Sequence, residues 1–177
     1  DINELIDKTL SLVRFDKRAR DVRLDIGEDP TLPRLWLNPQ HFEQMLLNIV
    51  INALDAMEAK ERSQEQMCLG LHAERRGNAV EIYVRDTGIG MHPEVCQRAF
   101  ESFFTTKEIS KGTGLGLYIS YNLVAEVDGS IELRSQPDIG TTVVIRIPVR
   151  PGGDLISDRI GPGGGAGPTE KPTRRVG

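Results

Sequence analysis

One stretch, residues 38–57, does most to limit how this chain can fold. Asn38-Pro39 is a strong helix start: the Asn side chain can cap free amides, and proline at the first helical position gives up a donor that had no partner. Apolar residues then fall at Phe42, Met45, Leu46, Ile49, Val50, Ala53, Leu54 and Met57, steps of three and four that lay one broad stripe along a helix. Such a stripe needs a second layer to cover it, and the rest of the sequence supplies strands. Val22, Leu24 and Ile26 alternate with charged residues. Met67, Leu69, Leu71 and Ala73 alternate up to a turn at Arg76-Gly77-Asn78, and Val80, Ile82 and Val84 alternate after it, an antiparallel hairpin. Ile131 and Leu133 precede a turn at Pro137-Asp138-Ile139-Gly140, and Val143, Ile145, Ile147 and Val149 form a last strand. Helices are expected from Asp1 to about Arg18, from Pro93 to about Phe100, and from Leu117 to Val127. The order is helix, strand, helix, two strands, two helices, two strands. The expected fold is a two-layer α/β sandwich, a mixed and mostly antiparallel sheet with helices on one face.

Composition sets the limits of the domain. Residues 151–177 hold 8 of the 18 glycines and 4 of the 10 prolines, so they are expected to be a disordered tail unable to bury enough apolar area to offset its ordering entropy, though Leu155, Ile156 and Ile160 offer transient docking points. Without that tail the formal net charge moves from −4 to −5. A mildly acidic domain lacks the clustered Lys and Arg that bind a phosphate backbone, so nucleic acid is not an expected partner. No apolar run approaches the ~18 residues of a membrane span. Cys68 and Cys96 make no disulfide framework, which fits a reducing cytoplasm and a cytoplasmic location. The chain opens on Asp, as a piece of a longer protein can.

Four short segments carry the candidate chemistry. Asn48 and Asn52 are four apart on the long helix and project together, with Gln44 and Asp55 along the edge of the stripe. They are either solvated amides or neutral oxygen ligands for Mg²⁺ or a phosphate-bound water. Asp86-Thr87-Gly88-Ile89-Gly90 sits where a strand leaves the sheet; it is either a structural turn or a surface for a flat ligand, with the Asp accepting from an exocyclic amine. Phe100, Phe103 and Phe104 put three of the five phenylalanines on one loop ahead of Thr105, Thr106 and Lys107, either as core or as a pin over a ligand, with Lys107 or Lys111 facing phosphate charge. Gly112, Gly114 and Gly116 lie just ahead of a helix, either as a hinge or as a phosphate cradle. That last segment fits neither the dinucleotide fingerprint nor a Walker motif.

Taken together and in this order, the four segments resemble those of the catalytic ATP-binding domain of sensor histidine kinases. Asn48-Ile-Val-Ile-Asn52-Ala53-Leu-Asp-Ala56 is similar to the asparagine box, Asp86-Thr-Gly-Ile-Gly90 to the first glycine box, Phe100-Glu-Ser-Phe-Phe104-Thr-Thr-Lys107 to the phenylalanine box, and Gly112-Thr-Gly-Leu-Gly-Leu117 to the second glycine box. The resemblance covers residues 21–150 and extends to the wider GHKL group of gyrases, heat-shock chaperones, histidine kinases and mismatch-repair ATPases. It implies a Bergerat-type ATP-binding fold with ATP and Mg²⁺ as cofactors. It also implies that Asp86 reads the adenine amino group with Thr141 helping through a water, and that Asn48 and Asn52 hold the metal. Asp55, Ala56, Gly88, Ile89, Gly90 and Met91 would border the nucleotide. Lys107 would approach phosphate beside Phe104, Thr105, Thr106 and Lys111, and the segment Gly112, Thr113, Gly114, Leu115, Gly116 and Leu117 would form the hinge of a mobile lid.

One position chooses within the group. Hydrolytic members usually carry Glu where this chain has Asn48, and an amide cannot serve as that base. An imidazole nucleophile from another domain needs alignment with the γ-phosphate more than it needs a strong base, so Asn48, Asn52 and Lys107 are the expected catalytic residues of a histidine kinase. Yet His41, His72 and His92 all lie outside the His-Glu/Asp-x-x-x-Pro setting of a phosphoacceptor helix, and surface or packing roles are expected for them. The acceptor histidine is therefore expected on a dimerisation domain outside this chain, with residues 1–20 as the end of its last helix or a linker, and a response-regulator receiver domain as the later partner. The chain alone is expected to be a monomer and its parent a homodimer. The alternatives are a regulatory nucleotide-binding scaffold without phosphotransfer, or a GHKL ATPase.

Overall fold

In a computed structural model, which describes residues 1–60, 66–107 and 112–150 and the backbone of 174–176, the long helix α2 runs Pro39–Glu58. Asn38 Oδ1 accepts from the amides of Gln40 at 2.9 Å and His41 at 3.4 Å, which starts the helix where proline permits it. The eight side chains that the periodicity assigns to the stripe are the eight that are buried. Burying an aliphatic side chain of this size contributes about 1.5–3 kcal/mol, which is why the pattern dictates the packing.

The stripe lies on a sheet built from β1 (Arg23–Gly27), β2 (Cys68–Arg76), β3 (Ala79–Asp86), β4 (Ser130–Gln136), β5 (Gly140–Pro148) and β6 (Arg174–Val176). The strand order is β1-β2-β3-β5-β4-β6; β1 is parallel to β2, β6 is parallel to β4, and the other three pairings are antiparallel. Leu69, Leu71, Ile82, Val84, Ile131, Leu133, Val143 and Ile145 turn one face of this sheet to the helices. The remaining helices are α1 (Ile2–Val13), α3 (Pro93–Arg98) and α4 (Gly116–Ala125). The mixed, mostly antiparallel sandwich is the fold expected.

Three details add to or depart from the sequence reading. Helix α1 ends at Val13 rather than Arg18, because Asp16 caps a separate 3-10 turn, Lys17–Ala19, its Oδ1 accepting from the Arg18 amide at 2.9 Å. Residues 1–20 are not set apart from the rest: Ile2, Leu5, Ile6, Leu10 and Val13 are buried in the core that α2 and the sheet share. Within the expected tail, Arg174–Val176 forms β6, since the outer edge of β4 offers unpaired amides and carbonyls to any extended segment. Leu155, Ile156 and Ile160 lie outside the described residues.

Candidate functional site

Strand β3 ends at Asp86, and the register sets it opposite Leu69 on one side and Thr141 on the other. The residue is only 6% exposed, and its carboxyl accepts on Oδ1 from the amides of Gly88 at 2.8 Å and Thr141 at 3.2 Å. The second oxygen, Oδ2, takes part in neither of these bonds. Burial pushes the pKa of this carboxyl up to about 6, while the two amides and the Lys60 ammonium pull it down. Thr141 is buried beside it. Ser135 Oγ donates its proton to the Gly140 carbonyl at 3.0 Å, so the 2.8 Å contact between Ser135 and Thr141 has the threonine hydroxyl as donor. That leaves the Thr141 oxygen free to accept from a water.

The loop after Asp86 is pressed onto the last turns of α2. The Ile89 amide donates to the Ala56 carbonyl at 3.0 Å, and a Cβ at Gly88 would come within 2.6 Å of the same peptide unit. Gly90 has φ 63° and Gly140 φ 135°; a Cβ at Gly140 would stand 2.1 Å from the Asp86 carbonyl, so no L side chain fits. Lys60 joins the two walls, its Nζ donating to the carbonyls of Thr87 and Asp138 at 2.9 Å each. Met91 is half-buried against the core and Ile89 is exposed.

About one and two helical turns back from Ala56 along α2 lie Asn52 and Asn48, half-buried on the same face. Lys107 Nζ donates to Asn52 Oδ1 at 3.2 Å and forms an ion pair with Asp55 Oδ2. The other Asp55 oxygen is paired with Arg18. Asn48 Nδ2 donates to the Gly116 carbonyl at 3.5 Å, which brings the start of α4 against the asparagines. A Cβ at Gly112 would meet Thr105 Oγ1 and the Lys107 stem. Thr105 Oγ1 accepts from the Lys107 amide at 3.1 Å, and Thr113 Oγ1 accepts from the Leu115 amide at 3.4 Å. Leu115 caps α4 without a side-chain hydrogen bond, Leu117 packs on the core, and Thr106 is exposed.

The three phenylalanines have different fates. Phe100 is core, 5.8 Å from the Tyr121 ring; Phe103 is 74% exposed; and Phe104 is half-buried beneath the Arg98 guanidinium, 4.3 Å from its ring centre. His41 pairs with Glu126 at 2.7 Å, His72 stacks on Tyr83 and His92 precedes α3. Lys111 lies outside the described residues. Asp16, Arg18 and Lys60 were not singled out from sequence: Arg18 and Lys60 pair with residues far away in the chain, Asp16 is linked only through Arg18, and no spacing rule reports that.

Asparagines, lysine, glycine turns and buried aspartate therefore meet along one face of one helix. Residues 37–151 match the family of histidine kinase-, DNA gyrase B- and HSP90-like ATPases. The chain belongs to this family. Sensor histidine kinase ZraS of Escherichia coli (strain K12) is 34% identical over 149 residues, a match covering 84% of this chain and 30% of ZraS. The nucleotide-free catalytic domain of histidine kinase ThkA superposes with a TM-score of 0.70 at 27% identity, covering 84% of this chain and 94% of that domain. Full-length ShkA in complex with AMPPNP superposes with a TM-score of 0.69 at 26% identity, over 84% of this chain and 30% of ShkA. The chain thus spans less than a third of ZraS and nearly all of the ThkA catalytic domain. It is a histidine-kinase-type ATPase domain, and contacts with α2 bring residues of the other three boxes beside Asn48, Asn52 and Ala56.

Proposed function

We propose that this domain binds Mg-ATP and donates the γ-phosphate to a histidine on a dimerisation domain outside the chain, from which an aspartate of a response-regulator receiver domain takes it. The observation that carries the reading is the setting of Lys107: its ammonium rests on Asn52 Oδ1, one helical turn from the peptide that supports the loop of Asp86. In this reading the Lys107 cation and the Asp86 carboxylate would lie at the two ends of the bound nucleotide. Asp86 Oδ2 would accept from the adenine amino group, and Thr141 would hold the bridging water. Gly88, Gly90 and Ala56 would keep the base flat against backbone, while the amides of the Gly112–Leu117 segment would follow the triphosphate.

The residues present fit Mg²⁺. Asn52 Oδ1 and Asp55 already cradle a cationic group, and among the described residues no cluster of three or more His, Cys, Asp or Glu side chains offers an all-protein metal cage. Asn48 and Asn52 would hold the ion as a partial site, the kind Mg²⁺ prefers when phosphate oxygens and waters complete its shell. When bound, it neutralises charge on the transferred phosphoryl group. Beside Asn52 the described residues offer no free carboxylate base: position 48 is an amide, and Asp55 is committed to two cations. That supports transfer to an imidazole over hydrolysis. Among the described residues no helix is long and apolar enough to cross a membrane, and we place the domain in the cytoplasm, monomeric alone and within a homodimeric parent.

Mixing the domain with labelled ATP and its cognate dimerisation domain is expected to give acid-labile label on a histidine. Binding at saturation without any transfer would instead support a regulatory nucleotide-binding scaffold, and multiple-turnover phosphate release by the domain alone would support an ATPase.

A further inference from the structure

The turn between α1 and β1 reaches the phosphate end of the site. Asp16 grips Arg18 bidentately, Oδ1 to Nε at 2.9 Å and Oδ2 to Nη2 at 2.5 Å. Arg18 Nη1 pairs with Asp55 Oδ1, and Asp55 Oδ2 pairs with Lys107, whose ammonium lies 3.2 Å from Asn52 Oδ1. Four charges of alternating sign form one ladder, with side chains 22%, 23%, 21% and 33% exposed. At that depth solvent screens them less than it does a surface pair, and the guanidinium plane fixes the carboxylate it meets.

We infer that Arg18 is a positioning residue for the triphosphate: held by Asp16, it fixes and neutralises Asp55 so that Lys107 is presented beside Asn52. The inference rests on the Mg-ATP reading above. Arg18 itself precedes residue 37, where the family match begins. The argument is one of charge as well as geometry. Asp55 is three residues from Asn52 on α2, so its carboxylate faces the region the phosphates would enter. Unpaired, that carboxylate would repel the triphosphate and draw Lys107 wholly onto itself. Sharing it with Arg18 leaves the lysine placed and its charge available. Because the 3-10 turn follows α1 directly, a displacement of α1 also moves Arg18.

The test is calorimetric titration of the full chain and its Arg18→Ala, Arg18→Lys, Asp55→Asn and Arg18→Ala/Asp55→Asn variants with two probes, a non-hydrolysable Mg-ATP analogue and adenosine. Arg18→Ala is expected to weaken the triphosphate about 5- to 10-fold while adenosine stays within about twofold, as befits a partly buried charge coupling. Arg18→Lys, which keeps the charge and loses the fork, recovers part of this. In the Asp55→Asn background, Arg18→Ala changes the triphosphate less than about twofold, because the route between the two ends is already cut. A merely structural arginine would weaken both probes together, and that outcome overturns the inference. So does an Arg18→Ala loss of equal size in the Asp55→Asn background. If the unaltered chain binds neither probe, the Mg-ATP reading fails as well; if it binds both and Arg18→Ala changes nothing, that reading stands and this inference alone falls.

Discussion

The Asp86 and Lys107 ends of the proposed site are built on different principles. At the Asp86 end the walls are backbone: strand ends in register, glycines where a Cβ would meet a peptide group, and Lys60 bolting one loop to the other. At the Lys107 end they are side chains, two amides and a ladder of ion pairs reaching back to Arg18. A shape made of peptide units exists before its ligand arrives. One made of paired charges holds its place by internal partners that a phosphate can replace. Under the proposed function the purine would be met by preorganised geometry and the triphosphate by exchangeable charge.

Alanine scanning of the glycines gives the largest contrast. Gly140→Ala must move the Asp86 carbonyl and adopt a forbidden φ, and is expected to cost about 2–4 kcal/mol in chemical denaturation. At Gly112 the new methyl meets the Thr105 hydroxyl and the flexible Lys107 stem, and the cost is expected below about 1 kcal/mol. Equal costs would break the distinction between the two ends.

Asp86→Asn separates recognition from stability. The amide keeps an oxygen for the Gly88 and Thr141 donors but turns an NH₂ toward the adenine amine, so adenosine affinity is expected to fall about 100-fold. Stability at pH 7 should rise by roughly 1–3 kcal/mol, since an ionised carboxylate no longer has to be buried. The same residue sets a pH dependence. Its folded pKa of about 6 lies above the unfolded value near 3.8, so the empty domain holds a proton that the unfolded chain has lost between those values. Stability therefore falls as pH rises through that window and is level above it. Binding needs the ionised acceptor, so adenosine affinity runs the other way: about tenfold weaker at pH 5 than at pH 8, with a proton released on binding. Adenosine carries no group that titrates in that range, and Asp86→Asn should give a flat profile.

Periodicity made the scaffold legible because burial acts through repeats: the α2 stripe, the β2–β3 hairpin and the β4–β5 turn all stand where alternation and turn residues put them. The glycine-bounded end of the site was legible for a related reason, since a strand end followed by glycines marks where backbone must approach backbone. The charged end was only half legible. Asn48 and Asn52 follow from helical spacing, but Arg18 and Asp55 are joined across 37 positions by ions that no local pattern couples. Lys60 pairs with two carbonyls, which any residue could supply. Lys107→Ala measures that end directly. The triphosphate analogue should bind about fivefold more weakly while adenosine is unchanged, and a loss shared by both would mean that Lys107 supports the whole proposed site.

The smallest effect is expected from the C-terminal residues, although they contain a strand. β6 pairs with Ile131, Glu132 and Leu133 of β4, while the groups that serve Asp86 begin two positions further along β4 with Ser135, which contacts Thr141 on β5. Removing residues 152–177 strips one outer edge from the sheet and leaves β4 held by β5 through seven paired positions. The added strand is short and peripheral, so its loss should change stability by no more than about 1 kcal/mol. Nucleotide affinity should stay within about threefold, below ~0.7 kcal/mol. The opposite result would be informative in a specific way. If truncation weakened adenosine and triphosphate together, the β4 edge would be setting the position of Ser135 and Thr141, and the preorganised end of the proposed site would depend on a strand from outside the family domain.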